Sequence, residues 1–236
     1  RSLHGINDAS IRIGLRLSKD ETIVRMPFEV RHMGSKYPIF SFDFTGAKRG
    51  VLPASYDYLR LEGRMQYRLN LPPIGYSQLM LEGGKIFGKV PYLLLKLHEG
   101  NGTYFYDRYA FSCMNFYEFS SDAWISFFYE HHFNGFLLGR VPLLKKLNWR
   151  EVFVFKGVYG TLSARNDGSL PNTKAVMLFP VGMSSVEHPY LETGFGIENI
   201  FRLLRVDCIW RLTHHRAVPG LSIPTFTVNF SLNLKF

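Results

Sequence analysis

The chain has 236 residues, which is enough for one large domain, and its formal net charge is +9. Charged residues make up only 20% of the sequence, whereas Phe, Trp and Tyr make up 16%. No stretch approaches 18 consecutive apolar residues, which excludes a transmembrane helix. The arginines are spread along the chain and no nucleic-acid motif is present, so we expect no nucleic-acid partner.

Apolar and polar residues alternate over many short segments. In the first segment Ile11, Ile13 and Leu15 alternate with Arg12 and Arg16. This period of two predicts strands, because successive side chains of a strand point to opposite faces. The ten segments predicted as strands are 11–18, 24–31, 40–45, 59–70, 75–88, 122–135, 149–162, 190–198, 203–213 and 226–236.

The last segment carries the clearest alternation. Phe230, Leu232, Leu234 and Phe236 lie on its apolar side, and Asn229, Ser231, Asn233 and Lys235 lie on its polar side. About 9–11 residues of tilted strand cross a bilayer core, and this segment has that length. A final strand that ends on Phe is typical of bacterial outer-membrane barrels, so the predicted fold is a transmembrane antiparallel β-barrel. A soluble sandwich with an amphipathic edge strand is the alternative.

The connections predict which end of each strand faces outward. The carboxy terminus of such a barrel lies in the periplasm, and outer loops are longer than periplasmic turns. Counting back from the end of the chain, we expect periplasmic turns near 33–36, 71–74, 139–148 and 199–202. We expect extracellular loops near 18–21, 47–54, 89–121, 163–189 and 214–223.

The loop 89–121 is too apolar to be freely solvated, so we expect it to fold into the barrel lumen. Arg108 and Tyr109 would enter the lumen with it, and Arg108 must then find a carboxylate, because an unpaired buried charge costs several kcal/mol. Glu130 and Glu151 are the candidate partners. The two-sided apolar strand 149–162 would offer an inner wall through Phe153, Phe155 and Tyr159.

Charged residues on the early strands predict the composition of the lumen. A charge facing lipid costs about 2–4 kcal/mol at the midplane, so these residues must face inward. They could select anions, or they could form a salt-bridged lining with Asp43, Glu29 and Glu62, which we favour. The predicted lumen-lining residues are Arg12, Arg16, Arg60, Glu62, Arg64, Gln66 and Arg68.

No residue set predicts an enzyme, a cofactor or a metal. The pairs His131-His132 and His214-His215 can each offer only one ligand to a common site, because neighbours in a strand point to opposite faces. Glu118, Asp122 and Glu130 share one face, which favours ion pairs over acid/base chemistry. The sequence lacks a nucleophile elbow. Cys113 and Cys208 have no metal spacing, and their pairing stays open.

Two stretches of the chain resemble a Bacteroidota outer-membrane family of unknown function, in which a barrel follows a carboxypeptidase-regulatory-like domain. The first contains YEFSSD (117–122), HHFNG (131–135) and RVPLLKKL (140–147). The second contains PYLETGFGIENIF (189–201), LRVD (204–207) and WRL (210–212). A shorter match, MGSKYP, lies at 33–38.

The second stretch is more distantly similar to the BamA-like insertase and translocase superfamily. Gly194 and Gly196 match its Gly-x-Gly pair, and Arg205 and Asp207 match its basic-x-acidic strand. The superfamily has sixteen strands and a Val-Arg-Gly-aromatic loop motif, which Asp107-Arg108-Tyr109 replaces here. The resemblance implies that residues 1–236 form the carboxy-terminal part of such a barrel. The chain starts on Arg without a signal peptide, so we expect a mature product or a piece of a longer polypeptide.

These expectations define a function in the bacterial outer membrane. We expect a non-enzymatic scaffold, assembly or translocation component with a plugged lumen. Its expected partners are outer-membrane lipids and lipopolysaccharide, the outer-membrane assembly machinery, and other membrane subunits. One alternative is a passive or ligand-specific channel, and another is a barrel enzyme that modifies lipid or lipopolysaccharide.

Overall fold

The computed structural model describes residues 6–26, 28–51, 53–169, 175–216 and 222–232. Over these residues the chain is all-β, with fourteen strands and three short helical turns. None of those turns is long and apolar enough to cross a membrane. The strands are β1 (Ile11–Leu17), β2 (Thr22–Arg25), β3 (Val30–Gly34), β4 (Ile39–Ala47), β5 (Tyr58–Asn70), β6 (Tyr76–Gly88), β7 (Lys96–Leu97), β8 (Phe119–Ser121), β9 (Ala123–His132), β10 (Arg150–Thr161), β11 (Ser184–Ser185), β12 (Tyr190–Ile200), β13 (Leu204–Arg211) and β14 (Phe226–Leu232). The helical turns are η1 (Tyr92–Leu94), η2 (Leu138–Arg140) and α1 (Pro142–Lys145).

Nine of the strands form one antiparallel sheet. Their spatial order is β1-β4-β5-β6-β9-β10-β12-β13-β14, so chain neighbours pair except where short strands intervene. Nine of the ten predicted strands are therefore confirmed. In the described part of the chain β1 and β14 are the two edges of this sheet, and they do not pair with each other.

The second predicted strand, 24–31, is wrong. The segment is split between β2 and β3, which pair with each other in a separate two-stranded sheet. Pro27 lies in the middle of the predicted segment, and proline has no backbone N–H to donate to a ladder. The Met26 N–H instead donates to the Glu29 carbonyl (2.8 Å), which turns the chain between the two short strands.

Because the segment 24–31 does not add a strand to the large sheet, the connections are distributed between the two ends of the sheet differently from the prediction. Connections between antiparallel neighbours alternate between the two ends, so 71–75, 133–149 and 201–203 lie at one end, called the turn end. The connection from β1 to β4, with the β2–β3 hairpin, also lies there. The prediction that 18–21 lies with the long loops is therefore wrong. The long connections that begin at 89 and 162 do share the opposite end, called the loop end.

The two faces of the sheet differ in polarity and in burial: the face with polar and charged residues is the buried one, and the face with apolar residues is the exposed one. Cross-strand partners Glu82, Ser126, Val158 and Tyr190 lie on one face and are all buried. Over β6 to β13 this inner face is covered by the chain's own loops, whereas on β1 it is exposed. The other face is apolar and exposed along the sheet, from Ile13 (65% exposed) on β1 to Phe226 (47%) on β14. We call it the outer face.

The core lies between the inner face and the loop 89–121. Its first cluster packs Phe111, Met114 and Phe119 of the loop against the sheet residues Phe128 and Tyr190, among others. The short strands β7, β8 and β11 form a three-stranded sheet that ties this loop to the 162–189 connection. Much of the buried apolar surface of the molecule is thus contributed by a connection between two strands.

The turn 71–75 generates a prediction about stability. Gly75 has φ +105°, and a Cβ there would lie 1.9 Å from the His132 carbonyl oxygen. Gly34 has φ +102° with open space around it, so Gly34→Ala is a matched control for backbone strain alone. We expect about 1–2 kcal/mol of destabilisation for Gly34→Ala and at least about 3 kcal/mol for Gly75→Ala, because backbone must also move. Urea-unfolding midpoints measure both; equal losses would contradict the collision.

Candidate functional site

The inner face binds the loop 89–121 through a row of polar side chains that crosses five neighbouring strands of the sheet. These strands are β9, β10, β12, β13 and β14, and each contributes at least one buried polar or charged residue to the row. They are Glu130 on β9, Lys156 on β10, Glu192 on β12, Arg205, Asp207 and Arg211 on β13, and Asn229 on β14. All seven have at most 3% of their surface exposed. We call this set the loop-binding row.

Glu130 is the centre of the row. Its carboxylate lies 2.8 Å from the Arg108 guanidinium and 3.2 Å from that of Arg205, and it accepts a hydrogen bond from the Tyr106 hydroxyl. His132 lies 3.4 Å away and also contacts Glu198 at 3.1 Å. One carboxylate therefore joins the loop to β9 and β13, and removing it would leave Arg108 without its carboxylate partner and Arg205 with Asp207 alone.

Tyr106 lies between two cations. The Arg205 guanidinium is 4.4 Å from the centroid of its ring, and the Lys156 ammonium is 4.5 Å from it. A cation over an aromatic face is attracted by the ring quadrupole, most strongly when both are out of water. Burial, and next the charge of Glu130, raise the pKa of Tyr106, so its hydroxyl stays protonated and donates.

The Gly-x-Gly pair explains how Asp207 fits beneath the loop. Gly196 pairs with Asp207, and a Cβ on Gly196 would lie 2.2 Å from the Asp207 carboxylate. Asp207 uses this space to bind Arg205 at 2.8 Å, which orients Arg205 toward Glu130. Gly196 thus leaves room on the inner face for Asp207 opposite, whereas Gly194 pairs with Ile209, whose side chain lies where a Cβ of residue 194 would be.

Lys156 and Glu192 bind the backbone of the loop. The Lys156 ammonium donates to the carbonyls of Asp107 (2.8 Å) and Ala110 (2.6 Å). The Glu192 carboxylate accepts the backbone N–H groups of Ser112 (2.8 Å) and Cys113 (2.7 Å). A cation thus binds carbonyls and an anion binds amides, which fixes the loop by its main chain.

Arg211 and Asn229 complete the row. Arg211 forms an ion pair with Glu118 of the loop at 2.5 Å and donates to the Cys113 carbonyl at 3.1 Å. The Asn229 amide donates to the Thr103 carbonyl at 3.1 Å. Beside it, the Phe230 N–H donates to the Tyr104 carbonyl, and the Tyr106 N–H donates to the Phe230 carbonyl, both at 2.7 Å. The loop therefore pairs with the edge of β14.

The structure brings all seven predicted lumen-lining residues to the inner face. The register aligns Arg12 with Thr45 and Arg60, and Arg16 with Ser41 and Arg64. Four of the arginines have a carboxylate partner: Arg12 with Asp43 (3.0 Å), Arg16 with Glu21 (2.6 Å), Arg60 with Glu62 (2.7 Å) and Arg64 with Glu82 (2.7 Å). Arg68 stacks on Tyr76, and the Gln66 amide lies 3.8 Å from the Met80 sulfur.

The other predicted site residues have mixed outcomes. Of the two candidate partners for Arg108, the structure selects Glu130, while Glu151 accepts the Leu138 N–H near the turn end. Tyr109 is 39% exposed and packs edge-on against Phe128. Phe230 and Leu232 lie on β14, whereas Leu234 and Phe236 fall outside the described residues.

The predicted inner wall of β10 is wrong. Phe153 and Phe155 lie on the outer face, where they contact Phe195 and Phe127 respectively, and Tyr159 is 44% exposed. The strand is apolar on both faces, so its alternation alone cannot tell inside from outside. Lys156 is the residue that identifies the inner face, which it shares with Val154 and Val158.

Sequence reasoning missed several residues of the site. Tyr106, Lys156, Glu192 and Arg211 were not predicted to bind the loop. Arg211 has the same strand phase as Arg205 and Asp207, and Lys156 is the one charge inside an apolar strand, so both carried a usable signal. Tyr106 carried none, because it is one of several aromatic residues in the loop.

The histidines and cysteines form no reactive centre among the described residues. His132 belongs to the Glu130 cluster, whereas His131 contacts Ser77 (2.8 Å), and no three His, Cys, Asp or Glu gather as metal ligands there. Cys113 and Cys208 are both free thiols. Burial, and next the charge of Glu192, raise the pKa of the Cys113 thiol to about 12, so it is protonated at neutral pH.

These features define a class: an all-β protein whose large antiparallel sheet buries its polar face under one of its own loops. A family model described as the C-terminal domain of a family of unknown function (DUF5686) matches residues 6–164. The chain belongs to this family. Comparison with curated proteins gives no match. The matched region includes the loop, Glu130 and Lys156, and β12, β13 and β14 follow it.

His98 generates a prediction about pH. Its ring is 3% exposed and lies 2.9 Å from the Ser121 hydroxyl, and burial, with Lys96 next, lowers its pKa to about 3. The unfolded chain takes up a proton below its ordinary pKa near 6.5 and the folded chain does not. Stability should therefore fall by about 1.4 kcal/mol per pH unit as the pH drops below 6.5.

The measurement compares urea-unfolding midpoints at pH 7 and pH 5. His98→Gln keeps a polar group beside Ser121 but cannot titrate, so it should lose about 2 kcal/mol less than the native chain over this interval. His215→Gln, at an exposed position, is the control and should keep the native dependence. Identical pH profiles for all three proteins would rule out the buried neutral histidine.

Proposed function

We propose that the chain is the carboxy-terminal part of a sixteen-stranded outer-membrane β-barrel whose lumen is plugged by its own loop. The observation that carries the proposal is the inverted burial of the nine-stranded sheet. Charged residues such as Glu130, Lys156 and Arg205 are buried on one face, and apolar residues are exposed on the other. A barrel in lipid requires this arrangement, because its outside is apolar and its interior is polar.

The outer face supports contact with lipid. Aromatic rings pair across neighbouring strands, with centroid distances of 5.2 Å for Phe127–Phe155, Phe153–Phe195 and Trp210–Phe226. In water such a continuous exposed apolar surface would cause aggregation. In a bilayer it is stabilising, and the two edge strands β1 and β14, the second of which pairs in part with the loop, would be joined through further strands.

The loop-binding row supports a plug and a non-enzymatic role. Its carboxylates are already engaged: Glu130 by Arg108, Arg205 and Tyr106, and Glu192 by backbone amides. A general acid or base would need a free, accessible carboxyl group. We therefore favour a scaffold, assembly or translocation component over an enzyme, in line with the resemblance to the BamA-like superfamily.

The proposed location follows from the same resemblance. It is the outer membrane of a Bacteroidota bacterium, with the carboxy terminus and the turn end in the periplasm and the loop end outside. The partners would be outer-membrane lipids and lipopolysaccharide, the assembly machinery that recognises the final strand, and other membrane subunits. The alternating β14 residues Phe230 and Leu232, which are 39% and 63% exposed, support recognition of this strand.

A charge on the outer face tests the membrane. Phe195 is 60% exposed in the middle of β12, and Val51 is 73% exposed in a loop. In a soluble protein arginine is tolerated at both exposed positions. In a barrel Phe195→Arg faces lipid and costs about 2–4 kcal/mol, so it should reduce the folded, heat-modifiable protein in the outer-membrane fraction. Val51→Arg should not, and equal levels of both variants would reject the barrel.

A conductance measurement tests the plug. The intact protein in planar bilayers should be almost non-conducting, because the loop fills the lumen. The double variant Glu130→Ala, Lys156→Ala removes one anion and one cation that hold the loop, and it should open frequent large steps. The control Arg12→Ala, Arg16→Ala removes two inner-face charges of the edge strand β1, whose carboxylate partners Asp43 and Glu21 lie outside the loop, and it should stay closed. Steady large conductance of the unmodified protein would favour the channel alternative.

A further inference from the structure

Two neighbouring connections at the turn end carry an unusual surface. The connection 133–149 contains η2 and α1, and the turn 201–203 joins β12 to β13. The first connection is bound to the end of β12, directly before the second, because the Asn199 amide donates to the Asn148 carbonyl at 2.8 Å. Both connections lie at the same end of the sheet, so their exposed side chains form one surface patch there.

The first shared property is exposed apolar side chains. Phe201 is 87% exposed, so its ring contacts little of the described chain. The other apolar residues of the two connections are about half exposed. The exposed apolar residues of the patch are Leu137 (52%), Val141 (44%), Leu147 (48%), Phe201 (87%) and Leu203 (47%).

The second shared property is a set of cations. Arg140, Lys145, Lys146 and Arg202 are all exposed and lie within the same two connections. Within the described ranges none of the four forms an ion pair, whereas the nearby acids Glu151 and Glu198 bind Leu138 and His132. Arg140 stacks on Phe136 at 4.1 Å, which keeps it beside the apolar residues. The patch is thus strongly positive and lacks internal counter-charges.

The backbone of the tight turn also favours a function for these side chains. Phe201 (φ 50°) and Arg202 (φ 66°) are both in the left-handed region. Glycine and asparagine are favoured at such positions, because other residues are strained there. The chain instead has a large apolar residue and a cation at these two positions, and the backbone hydrogen bonds from Arg202 to Asn199 and from Leu203 to Ile200, both 3.1 Å, hold the turn.

We propose that this patch, Leu137–Leu147 together with Phe201–Leu203, binds anionic phospholipid at the membrane interface. Phe201, Leu137, Leu147 and Leu203 insert beside the acyl chains, and the four cations bind headgroup phosphates. Clusters of Lys and Arg next to membrane-inserted residues recognise anionic lipid in this way. The inference rests on the proposed barrel and adds to it a lipid class and an orientation: the turn end holds glycerophospholipid of negative net charge.

The test uses the position of Trp149 beside the patch. The chain has three tryptophans, and Trp124 and Trp210 can be replaced by Phe to leave Trp149 as the single reporter. The full chain is reconstituted in phosphatidylcholine bilayers with a minor fraction of brominated phosphatidylglycerol or of brominated phosphatidylcholine, either of which quenches a nearby tryptophan. We expect the quenching of Trp149 to show that phosphatidylglycerol is enriched around it by at least about fivefold. This factor corresponds to the binding free energy of about 1 kcal/mol that a single Lys or Arg near the surface contributes.

The variants separate charge from general damage. Replacing Arg140, Lys145, Lys146 and Arg202 together by Gln should abolish the preference while the protein stays folded. Replacing the inner-face Arg12 and Arg64 by Gln should leave the preference intact. Equal quenching by the two lipids in the native background, or an unchanged preference in the fourfold variant, would overturn the inference.

A second reporter distinguishes failure of the inference from failure of the barrel. Trp210 is 41% exposed on the outer face, so a chain that keeps only this tryptophan should be quenched by both brominated lipids. Quenching of Trp210 without a lipid preference at Trp149 would overturn the lipid site alone. A Trp210 that neither lipid quenches would overturn the proposed barrel and the lipid site with it.

Discussion

Charges buried on the inner face of the sheet must be paired, and the rest of the structure depends on how this is done. An unpaired buried charge costs several kcal/mol, and Glu130, Lys156, Glu192 and Arg211 are all buried on four different strands. Each of them finds its partner in one segment, the loop 89–121. Without the loop, the charges of the sheet would be left without partners. Without the sheet, the apolar residues of the loop would have no surface to pack on. The sheet and the loop therefore depend on each other for their stability.

The way the loop is held places few demands on its own sequence. Lys156 and Glu192 bind main-chain carbonyls and amides, which every residue except proline can offer. Only Tyr106, Arg108 and Glu118 use side chains in ionic or charge-assisted contacts with the row. A loop of quite different composition could occupy the same position, provided that it kept an aromatic ring, a cation and an anion at these places.

The predictable part of this structure is the part governed by a period of two. Alternation identified nine sheet strands and the face of the seven lumen-lining residues, because lipid or water on one side forces a regular pattern. It failed over 24–31, where the chain forms two short strands that pair with each other, and on β10, where both faces are apolar. It could not identify Tyr106 or the partners of Lys156, since these contacts join residues far apart in the chain and depend on the path of an irregular loop.

The outer edge of β14 is a strand edge of the sheet, and the loop pairs with part of it. Phe230 donates its N–H to Tyr104 and accepts from Tyr106, so the loop covers the backbone groups that another strand would use. Exposed strand edges are sites of further pairing, and here the loop occupies part of one. Exchanging these two hydrogen bonds for two others changes little in free energy, because each contributes only about 0.5–1.5 kcal/mol net. The ionic contacts of Glu130 with Arg108 and of Arg211 with Glu118 use none of these backbone groups, so they do not depend on the exchange. The loop therefore stays anchored by charge on the inner face, whatever strand pairs with β14.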